Sequence, residues 1–132
     1  MLKDVAAAAH ALGMQVQVFN ASTKGDIDAA FAAMGRERPD ALFVGLGSFL
    51  TGRRHQLAHW AIRLAIPTTF GERQYAEAGG LMSYGGSLVD AYRQAGVYTG
   101  RILNGTKPAD LPVLQASKFE LIINAQTAHC LA

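Results

Sequence analysis

The most constraining feature of this sequence is the regular alternation of short apolar runs with longer amphipathic segments. The run at 41–47 is almost continuously apolar, as in parallel strands that are buried on both faces. Short connections between runs and helices favour a parallel sheet covered by helices. The sequence therefore predicts an α/β fold, a three-layer α-β-α arrangement around a mostly parallel sheet. The predicted strands are 14–19 (MQVQVF), 41–47 (ALFVGLG), 66–71 (IPTTFG), 81–85 (LMSYG) and 118–124 (KFELIIN).

Capping signals delimit the helices. A helix over about 2–12 ends at Gly13, and Thr23 or Asp26 is the predicted N-cap of the next one. Ser48 is predicted to cap a helix over about 49–65, and 72–78 forms a short helix closed by Gly79 and Gly80. Ser87 and Asp90 form an S-x-x-D capping box for a helix over about 88–103, which Gly105 ends. The apolar residues of that helix are predicted to be buried: Leu88, Ala91, Tyr92, Ala95, Tyr98 and Ile102.

Composition excludes several classes of protein. Half of the 132 residues are hydrophobic and 17% are charged, which favours a folded core over disorder. The net charge is +2 and the basic residues are scattered, so no nucleic-acid-binding stripe is predicted. No apolar run approaches the length of a membrane span. Cys130 is the single cysteine, which excludes an internal disulfide.

Motifs for nucleotide, metal and nucleophile chemistry are incomplete. Leu50 takes the place of the third glycine in the G-x-G-x-x-G pattern that starts at Gly45. His55 and His59 are four residues apart, but Gln56 replaces the glutamate of the zinc-hydrolase pattern. There is no G-x-S-x-G sequence around a serine, and Cys130 has no base with an orienting partner. The sequence predicts neither a cofactor nor a metal, and it predicts that the protein is not an enzyme.

Ligands of open α/β sheets bind at the carboxyl ends of the strands. The candidate ligand-binding segments are therefore 45–49, 70–73 and 83–87. Tyr84 either forms an aromatic wall of a ligand cleft or fills the core. Ser48 either caps a helix or marks a helix N-terminus that offers N–H groups to a carboxylate. Asp90 is explained by its capping box, with a ligand-binding carboxylate as the alternative.

Three segments carry a resemblance to a known family. They are PDALFVGLGSF, the long PTTFGERQYAEAGGLMSYGGSLVDAYRQAGVYTGRILNGTKPADLPV, and KFELIINAQTA. They closely resemble the carboxyl-terminal half of bacterial substrate-binding proteins of ABC transporters, of the uncharacterised or tryptophan/tyrosine type, with the type I periplasmic-binding-protein fold. The resemblance covers nearly the whole chain. It implies a two-lobed, extracytoplasmic or periplasmic protein that closes over a small solute and delivers it to a membrane permease.

The resemblance also implies a domain organisation. Residues 1–80 correspond to the second lobe, and 81–132 to the crossing strands of the hinge with a helix that returns towards the first lobe. The chain is then a fragment, whose helix over 88–103 would lack part of its packing partner and promote self-association. Glycines near the crossing strands would make bending easy: Gly79, Gly80, Gly85 and Gly86.

The ligand implied by the resemblance is an aromatic or branched amino acid. The residues placed against it are Gly47, Ser48, Phe49, Gly71, Glu72 and Tyr84. Two alternatives use the same type of fold: an effector-binding domain of a repressor-like regulator, and an enzyme on a doubly wound sheet.

Overall fold

The structure is a computed structural model that describes all 132 residues. The chain divides into two compact units, Met1–Arg36 and Glu37–Ala132, which are described separately. None of the helices is long and apolar enough to cross a membrane.

The first unit contains α1 (Leu2–Ala11) and most of α2 (Lys24–Glu37). Gly13 has a φ of +69°, and it ends α1 as predicted. The amide of Met14 donates to the carbonyl of Ala9 at 2.9 Å, which satisfies a carbonyl of the last turn in the manner of a Schellman motif.

Both proposed capping residues act at the start of α2. The Thr23 hydroxyl accepts from the Asp26 amide at 3.2 Å, while the Asp26 carboxylate accepts from the amides of Ser22 and Thr23, each at 2.8 Å. This reciprocal pair is a capping box with aspartate at its third helical position. Along α2 the predicted apolar positions Ile27, Phe31 and Met34 are buried.

The predicted strand over 14–19 is wrong, because this segment forms no strand and pairs with none. Its alternating side chains Val16 and Val18 are 45% and 48% exposed. A strand needs a neighbour to satisfy its backbone groups. The sheet of the structure contains β1 to β4 alone, and this segment has no such neighbour.

The second unit is built on one four-stranded sheet. Its strands are β1 (Leu42–Val44), β2 (Thr68–Phe70), β3 (Met82–Gly86) and β4 (Phe119–Ile123), in the order β1-β2-β3-β4. The first three strands are parallel, and β4 is antiparallel to β3. The predicted α/β class with a mostly parallel sheet is confirmed.

The helices of this unit are α3 (Ser48–Gly52), α4 (Arg54–Arg63), α5 (Arg73–Glu77), α6 (Leu88–Leu103) and α7 (Ala125–Leu131), with a 3-10 turn at Pro108–Asp110. The single helix predicted over 49–65 is wrong, because the chain breaks at Arg53 into α3 and α4. Ser48 is not a cap either. It is the first helical residue, after Gly47 as N-cap, and no side chain caps that end.

The core of this unit lies on one face of the sheet. Phe70 of β2 is beside Ser83 of β3 in the ladder, and both are almost fully buried. Tyr75 of α5 stacks on Phe70, with ring centroids 4.4 Å apart. The other face, which carries Tyr84 and Leu121 as a cross-strand pair, leaves these side chains 60% and 57% exposed.

The predicted burial of the apolar side of α6 is wrong, although the bounds of the helix are as predicted. No residue of α6 is buried, and Tyr92 is 71% exposed. Amphipathic spacing shows only that a helix has an apolar side. It does not supply an element to cover that side.

Candidate functional site

The carboxyl ends of β1, β2 and β3 lie close together: a side chain after β1 contacts the residue after β2, whose main chain contacts β3. A Cβ atom on Gly71, the residue after β2, would lie 2.4 Å from Cδ2 of Leu46 after β1. A Cβ atom on Gly85 in β3 would lie only 1.9 Å from the carbonyl oxygen of Gly71. At Gly85 the obstacle is main chain, so only glycine permits this approach, whereas the exposed Leu46 side chain beside Gly71 can move. Together these contacts bring the three strand ends to one place.

Thr51 of α3 connects two of the predicted site residues. Its amide and its hydroxyl both reach the carbonyl of Gly47, at 2.9 and 3.0 Å. The same hydroxyl lies 3.4 Å from Oε2 of Glu72, which precedes α5. The structure thus brings Gly47 and Glu72 to the hydroxyl of one threonine.

Beneath this contact lies a polar cluster formed by Thr51, Arg54, Glu72 and Tyr75. The Arg54 guanidinium donates to the carbonyl of Thr51 at 3.2 Å. The buried hydroxyl of Tyr75 has no hydrogen-bond partner of normal geometry. Burial raises the pKa of Tyr75, and the charge of Glu72 raises it further, while the nearby Thr51 hydroxyl and Arg54 lower it.

Three members of this cluster were missed by the sequence analysis. Thr51 lies one helical turn after Gly47, and Tyr75 lies three residues after Glu72. Because residues at such spacings lie on the same side of a helix, this spacing could have indicated that they neighbour the predicted site residues. The spacing alone does not show that the two helices approach each other, because that depends on the order of β1 and β2 in the sheet.

Ser48 and Phe49 occupy the start of α3. Ser48 is exposed, whereas Phe49 is half-buried and has the guanidinium of Arg53 at 6.0 Å from its ring centroid. This distance is at the outer limit of a cation–π contact. Neither residue is bonded to Glu72 or to Thr51.

Tyr84 lies on the face of the sheet opposite Ser83. Its ring stacks on that of Phe119 in β4, with centroids 5.9 Å apart and an interplanar angle of 21°. Since Tyr84 is 60% exposed, the interpretation as a core tyrosine is wrong. What the structure provides is an exposed two-ring platform, and the part of Tyr84 in ligand binding stays a prediction.

Asp90 is engaged within the chain. Its amide donates to the Ser87 hydroxyl at 3.4 Å, which confirms the predicted N-cap of α6. The Asp90 carboxylate does not accept a hydrogen bond from the Ser87 amide, because that amide donates to the carbonyl of Lys118. The carboxylate pairs with Lys118 Nζ at 3.0 Å and with Arg93 at 3.9 Å. These contacts account for Asp90 without a ligand.

An open cavity of about 220 Å³ lies beside α4 and α5, and it contains none of the predicted site residues. It is lined by Arg54, His55, Gln74, Glu77 and Ala78. No group of three or more histidine, cysteine, aspartate or glutamate side chains is close enough to hold a metal ion.

The comparison with family models decides the family. The model described as ABC transporter substrate binding protein matches residues 1–132. The chain belongs to this family. Among proteins with curated descriptions, none matches the chain.

Several solved structures share the fold of this chain. A conserved domain protein from Vibrio cholerae O1 biovar El Tor superposes with a TM-score of 0.86 at 22% identity. An ABC domain from Streptococcus pneumoniae, in complex with L-Trp, gives 0.85 at 24% identity. A ligand-free, open substrate-binding protein with adhesive properties from Clostridium difficile gives 0.72 at 20% identity.

Each of these superpositions covers 98% of this chain but 44% of the other chain. This substrate-binding protein chain therefore spans less than half the length of those structures. At such identities the likeness establishes the fold alone.

Proposed function

We propose that this chain forms one side of a solute-binding cleft in the receptor of an ABC importer, outside the cytoplasm, and that it performs no catalysis. Three strand ends converge at Gly71 and Gly85, and this convergence carries the proposal, because ligands of α/β sheets bind at such an edge. The family match over the whole chain favours solute binding over the regulator and enzyme alternatives.

The proposed ligand is an amino acid. Glu72 is a half-buried carboxylate that forms no ion pair, and its closest polar contact is the long one from Thr51. A carboxylate in this setting would attract an ammonium group. The exposed rings of Tyr84 and Phe119 would suit an aromatic or branched side chain. The relative bound to L-Trp makes L-Trp a sensible first probe.

Around Glu72, the proposed contacts are Gly47, Ser48 and Phe49 in the loop after β1, Gly71 after β2, and Tyr84 on β3. Residues 81–132 would contain the crossings to a second lobe, and residues 1–80 would belong to one lobe. Hinge closure would follow from tighter ligand binding to the closed state than to the open state. The ligand would then pass to a membrane permease.

Native mass spectrometry of the protein purified from its own host tests the proposal. We expect a bound mass of amino-acid size that exchanges with added L-Trp. A bound nucleotide, or chemical conversion of the bound molecule, would contradict the proposal. For the isolated chain we expect weak binding, with L-Trp in the millimolar range by NMR.

A matched pair of variants tests the contribution of Glu72. Glu72→Gln keeps the shape of the side chain and removes its charge, so we expect L-Trp affinity to fall about tenfold, the effect of one charge-assisted hydrogen bond. Glu77→Gln removes a carboxylate that pairs with Arg73 on the exposed side of α5, and it should leave affinity unchanged. Equal L-Trp affinities of the two variants would show that the Glu72 carboxylate does not contribute to ligand binding.

A further inference from the structure

The outer edge of β4 is open. In the order β1-β2-β3-β4 this strand is terminal, and β3 is its only partner. Such an edge presents a row of backbone N–H and C=O groups to any strand that approaches.

The hydrogen bonds to β3 show which groups point outwards. The Ser87 amide donates to the carbonyl of Lys118, and the Asn124 amide donates to the carbonyl of Leu81. In an antiparallel ladder, bonded and non-bonded pairs alternate. Even-numbered residues of β4 therefore direct their backbone groups at β3, so Phe119, Leu121 and Ile123 direct theirs at the open edge.

The devices that normally block an edge are absent or neutralised here. Residues 119–123 contain no proline, and they pair with β3 in continuous register without a bulge. The two charges nearest the edge are engaged within the chain, Glu120 with Arg73 at 3.8 Å and Lys118 with Asp90 at 3.0 Å. Neither is left as a free charge to repel a strand.

We propose that a second copy of this chain adds to this edge, with the two β4 strands antiparallel and the symmetry axis at Leu121. This register places Phe119 opposite Ile123 of the partner subunit, so that all three outward residues of each strand form hydrogen-bonded pairs. Glu120 then faces Ile122 of the partner subunit, and no like charges are opposite each other. A register centred on Phe119 or Ile123 would pair fewer outward groups.

The product is a symmetric dimer with one continuous eight-stranded sheet. Its interface is isologous, since the same surface serves both copies. Because opposite residues of an antiparallel pair lie on the same face, Phe119, Leu121 and Ile123 of both subunits would form one apolar face. This inference does not depend on the identity of the solute.

Sedimentation and light scattering of the whole chain from micromolar to submillimolar concentration measure the association. We expect the mass to rise from 14.0 kDa towards twice that value. Leu121 is 57% exposed, so Leu121→Lys should keep the circular dichroism of the fold, and it places two lysines opposite each other at the axis. We expect at least tenfold weaker association. Val113→Lys, at a position that is 95% exposed and outside β4, should associate like the original chain.

Cross-linking tests the register. Opposite residues of a bonded antiparallel pair have Cα atoms about 5.5 Å apart, within disulfide range. With Cys130→Ser as background, Leu121→Cys should give a disulfide dimer on mild oxidation, and Glu120→Cys should not. A monomer at all concentrations, unchanged association of Leu121→Lys, or equal cross-linking at positions 120 and 121 would each overturn the proposal.

Discussion

Gly85→Ala is the substitution whose effect follows most directly from the geometry of the site. The new Cβ atom would lie 1.9 Å from the carbonyl oxygen of Gly71 and 3.0 Å from its carbonyl carbon. Real Cβ atoms essentially never come within 3.0 Å of a heavy atom, so strand β3 and the Gly71 loop must separate by at least about 1.1 Å. No side-chain rotation relieves the contact, because the obstacle is main chain.

The expected loss of stability is about 3–4 kcal/mol. Overpacking a tight site costs roughly 1–3 kcal/mol. The separation also strains the short β2–β3 ladder, which consists of the pairs Thr69–Met82 and Phe70–Ser83. Each backbone hydrogen bond lost there adds roughly 1 kcal/mol. Such a loss is a large part of the roughly 5–15 kcal/mol that stabilises a typical domain.

Equilibrium unfolding in urea, followed by circular dichroism, measures this loss. Gly86→Ala is the matched control, because its Cβ would meet Ala116 at an ordinary 3.6 Å. We expect the control to remain within about 0.5 kcal/mol of the original chain, as usual for a change that disturbs no special contact. If Gly85→Ala and Gly86→Ala differ by less than 1 kcal/mol, the strand ends do not approach each other as described.

Three further predictions concern single side chains. Tyr75→Phe should stabilise the chain by about 1 kcal/mol in urea unfolding, because it removes a buried hydroxyl whose approach to Thr51 does not reach normal hydrogen-bond geometry. Ala65→Gly should stabilise it by about 0.5–1 kcal/mol in thermal unfolding, because Ala65 has a φ of +52°, a left-handed conformation that strains a residue with a Cβ. Asp26→Asn should flatten the acid limb of the stability curve, measured by urea titrations from pH 2 to 7. The amides of Ser22 and Thr23 lower the pKa of Asp26, so its contribution is present above the unfolded value near 3.8 and is lost as the pH falls through the folded value.

The first two of these predictions each have a control of opposite effect. Tyr98→Phe removes a hydroxyl that donates to the carbonyl of Pro112, so it should destabilise the chain. Ala32→Gly, at an exposed position inside α2, should destabilise by about 1 kcal/mol. A control that changes stability like its partner would refute the local explanation.

Local signals predicted much of the fold. The S-x-x-D sequence at Ser87 and the glycine at Gly105 delimit α6 correctly, because a helix end is settled by the few residues around it. The same holds for Gly79, whose φ of +103° ends α5. Strand 14–19 and the burial of α6 were predicted wrongly, because both require a distant partner that periodicity does not reveal.

The candidate site was predicted as a place, but not as a set of contacts. The rule for α/β sheets indicated the strand ends, yet the link from Gly47 to Glu72 through Thr51 depends on β1 and β2 being neighbours. Gly85 was interpreted as a hinge residue because the family resemblance places a crossing strand beside it. Its contact with Gly71 shows a second requirement, close main-chain approach, which no sequence pattern distinguishes from flexibility.

The antiparallel pairing of β3 with β4 has a consequence for how the chain can be dissected. Gly86 pairs directly with Phe119 and the Ser87 amide still donates to Lys118, so residues 88–117 leave the sheet and return to the adjacent register position. In topological terms they are an insertion at the tip of a β-hairpin, and α6 within it contributes no buried residue. A two-residue turn could replace the insertion, and the shorter closure would lower the entropic cost by roughly 2 kcal/mol. The sheet and the insertion are therefore separable modules, and the strand-end contacts at Gly71 and Gly85 belong to the sheet alone.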